Sequence, residues 1–156
     1  MATINAAISV TRDVTGYGTT INNSMTMTKA GTIAGLDQAT GLVRKTLTST
    51  NEVDLLVVGA GVVADVTATK SAKLYIKNVN TDSSEYFTVG LGKASGGAAK
   101  QALSVAASDV RSVEIGRLYS GDWMIIPWVA ASDEHDVFVK PSVSTSMVIE
   151  YMVFFE

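Results

Sequence analysis

A few groups of residues in this chain have types and spacings that could do chemistry. The first is Leu55-Leu56-Val57-Val58-Gly59-Ala60-Gly61-Val62-Val63-Ala64, which fits the G-x-G-x-x-A spacing of a dinucleotide site. That spacing works only where the glycines join a parallel strand to a helix N-terminus, whose free N–H groups hold the pyrophosphate. Here the next residues are Asp65-Val66-Thr67-Ala68-Thr69-Lys70, which do not read as a helix. The acidic partner should stand about 20 residues further on. Val79, Asn80 and Thr81 occupy that region, with Asp82 in a turn-like stretch. The motif therefore reads as a β-hairpin with Gly59-Ala60-Gly61 at or near its turn.

The second group surrounds the single histidine, in Asp133-Glu134-His135-Asp136. Four consecutive residues cannot all face one ion without a special loop, and no second His completes a zinc set. A solvated loop is the expectation. Serines are plentiful, but no G-x-S-x-G elbow is present to build a triad. Glu52, Asp54 and Glu85 have no pairing visible along the chain. No catalytic, cofactor-binding or metal-binding residue is assigned, and no cofactor is expected.

The elements that would position any site are strands. Ile4, Ala6, Ile8 and Val10 alternate with Asn5, Ala7, Ser9 and Thr11. Strand-like runs follow at Ile21 and Ser24–Thr28, Leu47–Thr50, Leu74–Val79, Tyr86–Leu91, Val113–Leu118 and Met147–Phe155. They are short, rich in β-branched and aromatic residues, and broken by turn residues. About eight to eleven strands fit this spacing. Asn80-Thr81-Asp82-Ser83-Ser84 reads as a hairpin loop, and Ser120-Gly121-Asp122 and 131–136 as further turns. Pro127 lies inside an apolar run and argues for a sheet edge or strand end there. Residues 98–107 form either a short helix after Ser95-Gly96-Gly97 or a surface loop. The pattern predicts an all-β protein: a two-sheet antiparallel sandwich of jelly-roll type.

The length of 156 residues suits one domain, 1–156. Residues 1–30 are polar and extended; they form either an N-terminal arm reaching onto another subunit or an ordinary first strand and loop. The net charge of −3 comes from 12 basic and 15 acidic residues, with no basic stripe, so nucleic acid is not an expected partner. No run of about 18 apolar residues is present, so no membrane span is expected. There are no cysteines, which excludes disulfides and thiolate metal sites. Charged residues are only 17% of the chain, below the globular norm of about 25%. Surfaces covered with Thr, Ser, Asn, Gly and Ala are common where subunits abut.

Aromatic residues supply the candidate contacts. Trp123 and Trp128 are five apart in one run and so face opposite ways, one toward the core and one outward. Phe154 and Phe155 stand just before the final Glu156. These four, Trp123, Trp128, Phe154 and Phe155, are the candidate interface residues, since aromatic side chains favour interfaces.

Residues 73–155 carry a specific order: Lys73-Leu74-Tyr75-Ile76-Lys77-Asn78, then Tyr86-Phe87-Thr88-Val89-Gly90-Leu91, then Ile115–Trp128, then Val137-Phe138-Val139-Lys140-Pro141, then Val148–Phe154. This order resembles small virion proteins of tailed bacteriophages, of the jelly-roll capsid decoration or cement type. Where those proteins commonly have Ala after the penultimate strand, this chain has Lys140-Pro141. The resemblance implies a non-enzymatic protein, made in the host cytoplasm and carried on the capsid surface of the virion. Its partners would be itself, as a homotrimer, and the major capsid protein, with many weak contacts adding up. A tail, baseplate or fibre subunit would share the composition. A carbohydrate-binding β-sandwich module is a further reading, with Tyr75, Tyr86, Trp123 and Trp128 as its aromatics. An enzyme comes last, resting on Gly59–Ala64 alone.

Overall fold

A computed structural model describes residues 4–12, 19–92, 113–132 and 135–156. The 98–107 segment and Asp133-Glu134 lie outside the described residues. The strands are β1 (Asn5–Arg12), β2 (Thr19–Thr26), β3 (Gln38–Ala39), β4 (Val43–Leu47), β5 (Val53–Leu56), β6 (Ala72–Asn78), β7 (Tyr86–Leu91), β8 (Val113–Tyr119), β9 (Trp123–Trp128), β10 (Val137–Pro141) and β11 (Met147–Phe155). A 3₁₀ turn spans Gly61–Val63.

The expected jelly roll is present. One sheet has the order β3-β11-β6-β9 with β4 also paired to β11, and the other has the order β5-β10-β7-β8. Counting from β4, the first sheet holds the first, eighth, third and sixth strands. The second holds the second, seventh, fourth and fifth. All pairings are antiparallel. From β4 onward every connection changes sheet except that from β7 to β8. This is the double-Greek-key order in which two sheets close over one core.

Alternation drives the packing. In β6, Ala72, Leu74, Ile76 and Asn78 are buried while the residues between them are half-buried. Leu74, Ile76, Phe87, Val89, Val137, Val139, Met147, Ile149 and Val153 are completely buried in one cluster between the sheets. Each such side chain stabilises the fold by about 1.5–3 kcal/mol relative to exposure.

The polar residues of one corner are equally ordered. Asn78 is fully buried at the end of β6. Its Nδ2 donates to the Leu118 carbonyl at 3.0 Å, and its Oδ1 accepts from Asn80 N at 3.0 Å. Asn80 Oδ1 in turn accepts from Val148 N at 2.9 Å. One Asn pair thus ties together the ends of β6 and β8 and the start of β11.

Some local expectations are corrected. Gly59-Ala60-Gly61 is not a hairpin turn: β5 and β6 lie in different sheets, so 57–71 crosses between them. Gly59 (φ 72°) and Gly61 (φ 58°) take left-handed conformations that favour glycine. The 3₁₀ turn then plugs Val63 into the core, with Val66 following. Residues 80–84 likewise form a sheet-to-sheet corner and not a hairpin loop. Thr48–Thr50 turn away from the strand, because β4 ends at Leu47 and Asn51 N donates to Ser49 Oγ at 3.1 Å.

Pro127 falls on β9, the last strand of its sheet. The N-terminal strands do not join either sheet of the sandwich. β1 and β2 form a separate two-stranded sheet in register from Asn5↔Thr26 to Arg12↔Thr19. At its base, Met27 N donates to the Ile4 carbonyl at 3.0 Å. The Glu156 carboxylate fastens that base to the sandwich, accepting from Ala30 N at 3.3 Å and Ser71 N at 2.9 Å.

Candidate interaction surfaces

The outward face of the five-stranded sheet mixes aromatic and aliphatic side chains with charged ones. Register sets its cross-strand rows: Met152 beside Tyr75 and Tyr75 beside Ile125; Ala39 beside Phe154, Phe154 beside Lys73 and Lys73 beside Pro127. A third row runs Arg44, Glu150, Lys77, Trp123. Tyr75 and Trp123 approach with ring centroids 6.5 Å apart. Glu150 sits among these groups and is buried. Arg44 Nε donates to its Oε2 at 2.8 Å, and the Tyr75 hydroxyl donates to its Oε1 at 3.4 Å. Burial and the neighbouring Glu150 charge push the Tyr75 phenol above its ordinary value.

Of the four candidate interface residues, Trp123 and Phe154 stand on this face, with Trp123 45% exposed. Trp128 and Phe155 point the other way, into the core. Trp128 Nε1 donates to the His135 carbonyl at 2.8 Å, which satisfies its one polar atom inside. The five-residue spacing separates the two tryptophans as expected, and the alternation of β11 does the same for the two phenylalanines.

The two-stranded sheet offers a second surface. Ala6 pairs with Met25 and Ile8 with Asn23, so Ala6, Ile8 and Met25 share one face. Ile8 and Met25 are 42% and 48% exposed, and Asn5, Ala7, Ser24 and Thr26 on the other face are exposed too. Neither strand hydrogen-bonds to a sheet of the sandwich. A lone two-stranded hairpin is marginal in water, and this one keeps an apolar face uncovered.

A third feature is a shallow polar cleft of about 200 Å³ on the outward face of the four-stranded sheet. Thr50, Tyr86, Thr88, Glu114, Arg117, Lys140, Pro141 and Ser142 line it. The Arg117 guanidinium stacks 4.5 Å from the Tyr86 ring centre, and the Tyr86 and Tyr119 rings lie 5.2 Å apart. Nothing in the sequence pointed to this grouping apart from Tyr86, because its members come from separate strands and loops.

The residues considered for chemistry are placed structurally. His135 Nδ1 lies 3.1 Å from Ser132 Oγ, while Asp136 is buried and accepts from Val58 N at 2.7 Å, pinning the 57–71 crossover. Glu85 accepts from Thr145 Oγ1 at 3.1 Å. Among the described residues, no group of three or more His, Asp or Glu is disposed to hold a metal ion. No described helix is long and apolar enough to cross a membrane. No protein-family model, curated protein or solved structure matches the chain.

Proposed function

We propose that this chain is a non-enzymatic structural protein of a tailed-phage virion, a capsid decoration subunit that assembles with copies of itself, as a trimer, on the major capsid protein. The observation that carries the reading is the β1–β2 hairpin. It forms a sheet of its own and leaves Ile8 and Met25 facing solvent. Ile8 and Met25 are apolar side chains that a partner surface would cover, and a marginal hairpin would gain stability from such cover.

Three further observations agree with it. The outward face of the five-stranded sheet presents Trp123, Tyr75, Ile125, Met152 and Phe154 as a second contact area. Charged residues are only 17% of the chain. The jelly roll itself is common in viral shells, though it also serves lectins, so that support is by analogy.

The test is the copy number of the chain in purified particles relative to the major shell protein, by quantitative mass spectrometry. A ratio near one, or a simple fraction set by trimers at lattice axes, is expected. A handful to some dozens of copies would move the chain to the tail, baseplate or fibres. Absence from particles would sink the virion reading.

A further inference from the structure

The edges of the β1–β2 hairpin differ from the other sheet edges of the fold. An open edge invites pairing with another chain, and proteins blunt such edges with short strands, charges, Pro or bulges. The described edges of the sandwich all carry such a device. β3 and β5 are two and four residues long. β4 carries Arg44-Lys45, and β9 carries Pro127. β8 carries Glu114 and Arg117, and its register with β7 shifts at Val89/Gly90.

The hairpin has none of these devices. Its strands are eight residues each and pair without a register shift. They contain no Pro, no Gly and one charged residue, Arg12, at the end of β1.

The ladder sets which backbone groups the edges present. Met27 N donates to the Ile4 carbonyl, one step beyond the Asn5↔Thr26 pair. Opposite residues in an antiparallel ladder alternate between pairs that exchange hydrogen bonds and pairs that do not. Ala6↔Met25 and Ile8↔Asn23 therefore bond within the hairpin. Asn5, Ala7, Ser24 and Thr26 turn their N–H and C=O groups to the two outer edges. Among the described residues no third strand meets them.

Two open edges and one apolar face select the arrangement that covers all three. A two-fold pair of hairpins would satisfy one edge of each and leave the other open. Pairing β2 of one copy with β1 of the next satisfies both once the ring closes, and keeps every strand pair antiparallel. Three copies supply six strands. Closure into a barrel abolishes edges, and an interior narrower than that of eight strands is filled by side chains. Ala6, Ile8 and Met25, which share one face, would fill it. Such a sheet also exceeds the three strands with an apolar face that independent stability requires.

We infer that three copies of this chain pair their hairpins edge to edge, β2 of each against β1 of the next, and close a six-stranded barrel on a three-fold axis. The inference rests on the trimer of the proposed assembly and names the surface that holds it together.

The test uses the full chain with Ala7→Pro or Ser24→Pro. Each removes one outward N–H from one edge and no bond inside the hairpin, a position where a strand tolerates Pro. Sedimentation equilibrium should give three chains for the wild type and one for either variant. Hydrogen exchange at Ser24 in Ala7→Pro, and at Ala7 in Ser24→Pro, should be at least about tenfold faster than in the wild type, because the lost partner belongs to another copy. The wild type alone also tests the pairing: fast exchange at both Ala7 and Ser24 would overturn it. A monomeric wild type would overturn the ring and the trimer together. A trimer that survives both substitutions would overturn the ring and leave the trimer standing. Loss of the oligomer from one edge only would mean two-fold pairing and overturn the ring. Variants that stay trimeric but no longer bind shells would give the edges to the shell protein, again overturning it.

Discussion

Phe138 occupies the space that a side chain at Gly90 would need. The two are paired in register on the outward face of the four-stranded sheet. A methyl group on Gly90 would overlap the Phe138 ring and lie 2.5 Å from the Val113 carbonyl oxygen. Phe138 is fully buried although it faces away from the main core. Gly90→Ala should therefore lower stability by about 1–3 kcal/mol, as overpacking does. Denaturant melts of the two proteins check this; an unchanged midpoint would show that the ring moves aside freely.

The Asn78 corner predicts a larger loss. Asn78→Ala leaves the Leu118 carbonyl and the Asn80 amide without their partner, at about 1–3 kcal/mol for each group that stays buried. Asn78→Asp is the sharper probe, because the new carboxylate would face the carbonyls of Leu118 and Glu85. Its folded-state pKa should rise above the unfolded value of about 3.9. Stability of that variant should then be greatest below about pH 4 and fall as pH rises through the folded pKa. Thermal melts from pH 3 to 7 would show it.

For the hairpin, Ile8→Ser with Met25→Ser separates packing from assembly. Both residues are exposed, so the isolated chain should melt within about 2 °C of wild type. Sedimentation should show loss of the oligomer, and co-sedimentation should show loss of binding to shells. A melt lowered by some 10 °C would mean that these side chains belong to the chain's own core.

Tyr75 gives a pH prediction. Its phenol is raised first by burial and then by the Glu150 charge and hydrogen bond. Raised above the unfolded value of about 10, it contributes stability that is fully present below pH 10 and is lost as pH climbs through the folded pKa. Glu150→Gln should lower the Tyr75 value yet leave it above 10, because burial is the larger cause. Ultraviolet titration against a Tyr75→Phe control reads it directly; no change on removing Glu150 would break the link.

Much of the architecture was legible along the chain. Alternation marked β1, β6, β7 and β11, Pro127 marked an edge, and the Trp123–Trp128 spacing separated an outward ring from an inward one. Sheet partners were not legible. Asx and Ser residues close a backbone in the same way at a hairpin and at a corner between sheets: Asp82 Oδ1 accepts from Ser84 N at 2.8 Å in a crossover. The Gly59–Gly61 segment misled for the same reason, since its role depends on Val63 and Val66 finding a core made by distant strands. The cleft was invisible because Lys140, Thr88 and Arg117 are neighbours only through register.

The β1–β2 hairpin also constrains what an assembly can look like. A contact between two copies made through this hairpin is either reciprocal, each hairpin lying on the other copy about a two-fold axis, or head-to-tail. Head-to-tail contacts either close into a ring after a few copies or continue without end as a fibre. A head-to-tail trimer, if the proposed assembly forms, would depend on the angle at which Met27 and Glu156 hold the hairpin's base. A substitution at that hinge could turn a discrete particle into a polymer without weakening a single contact between subunits.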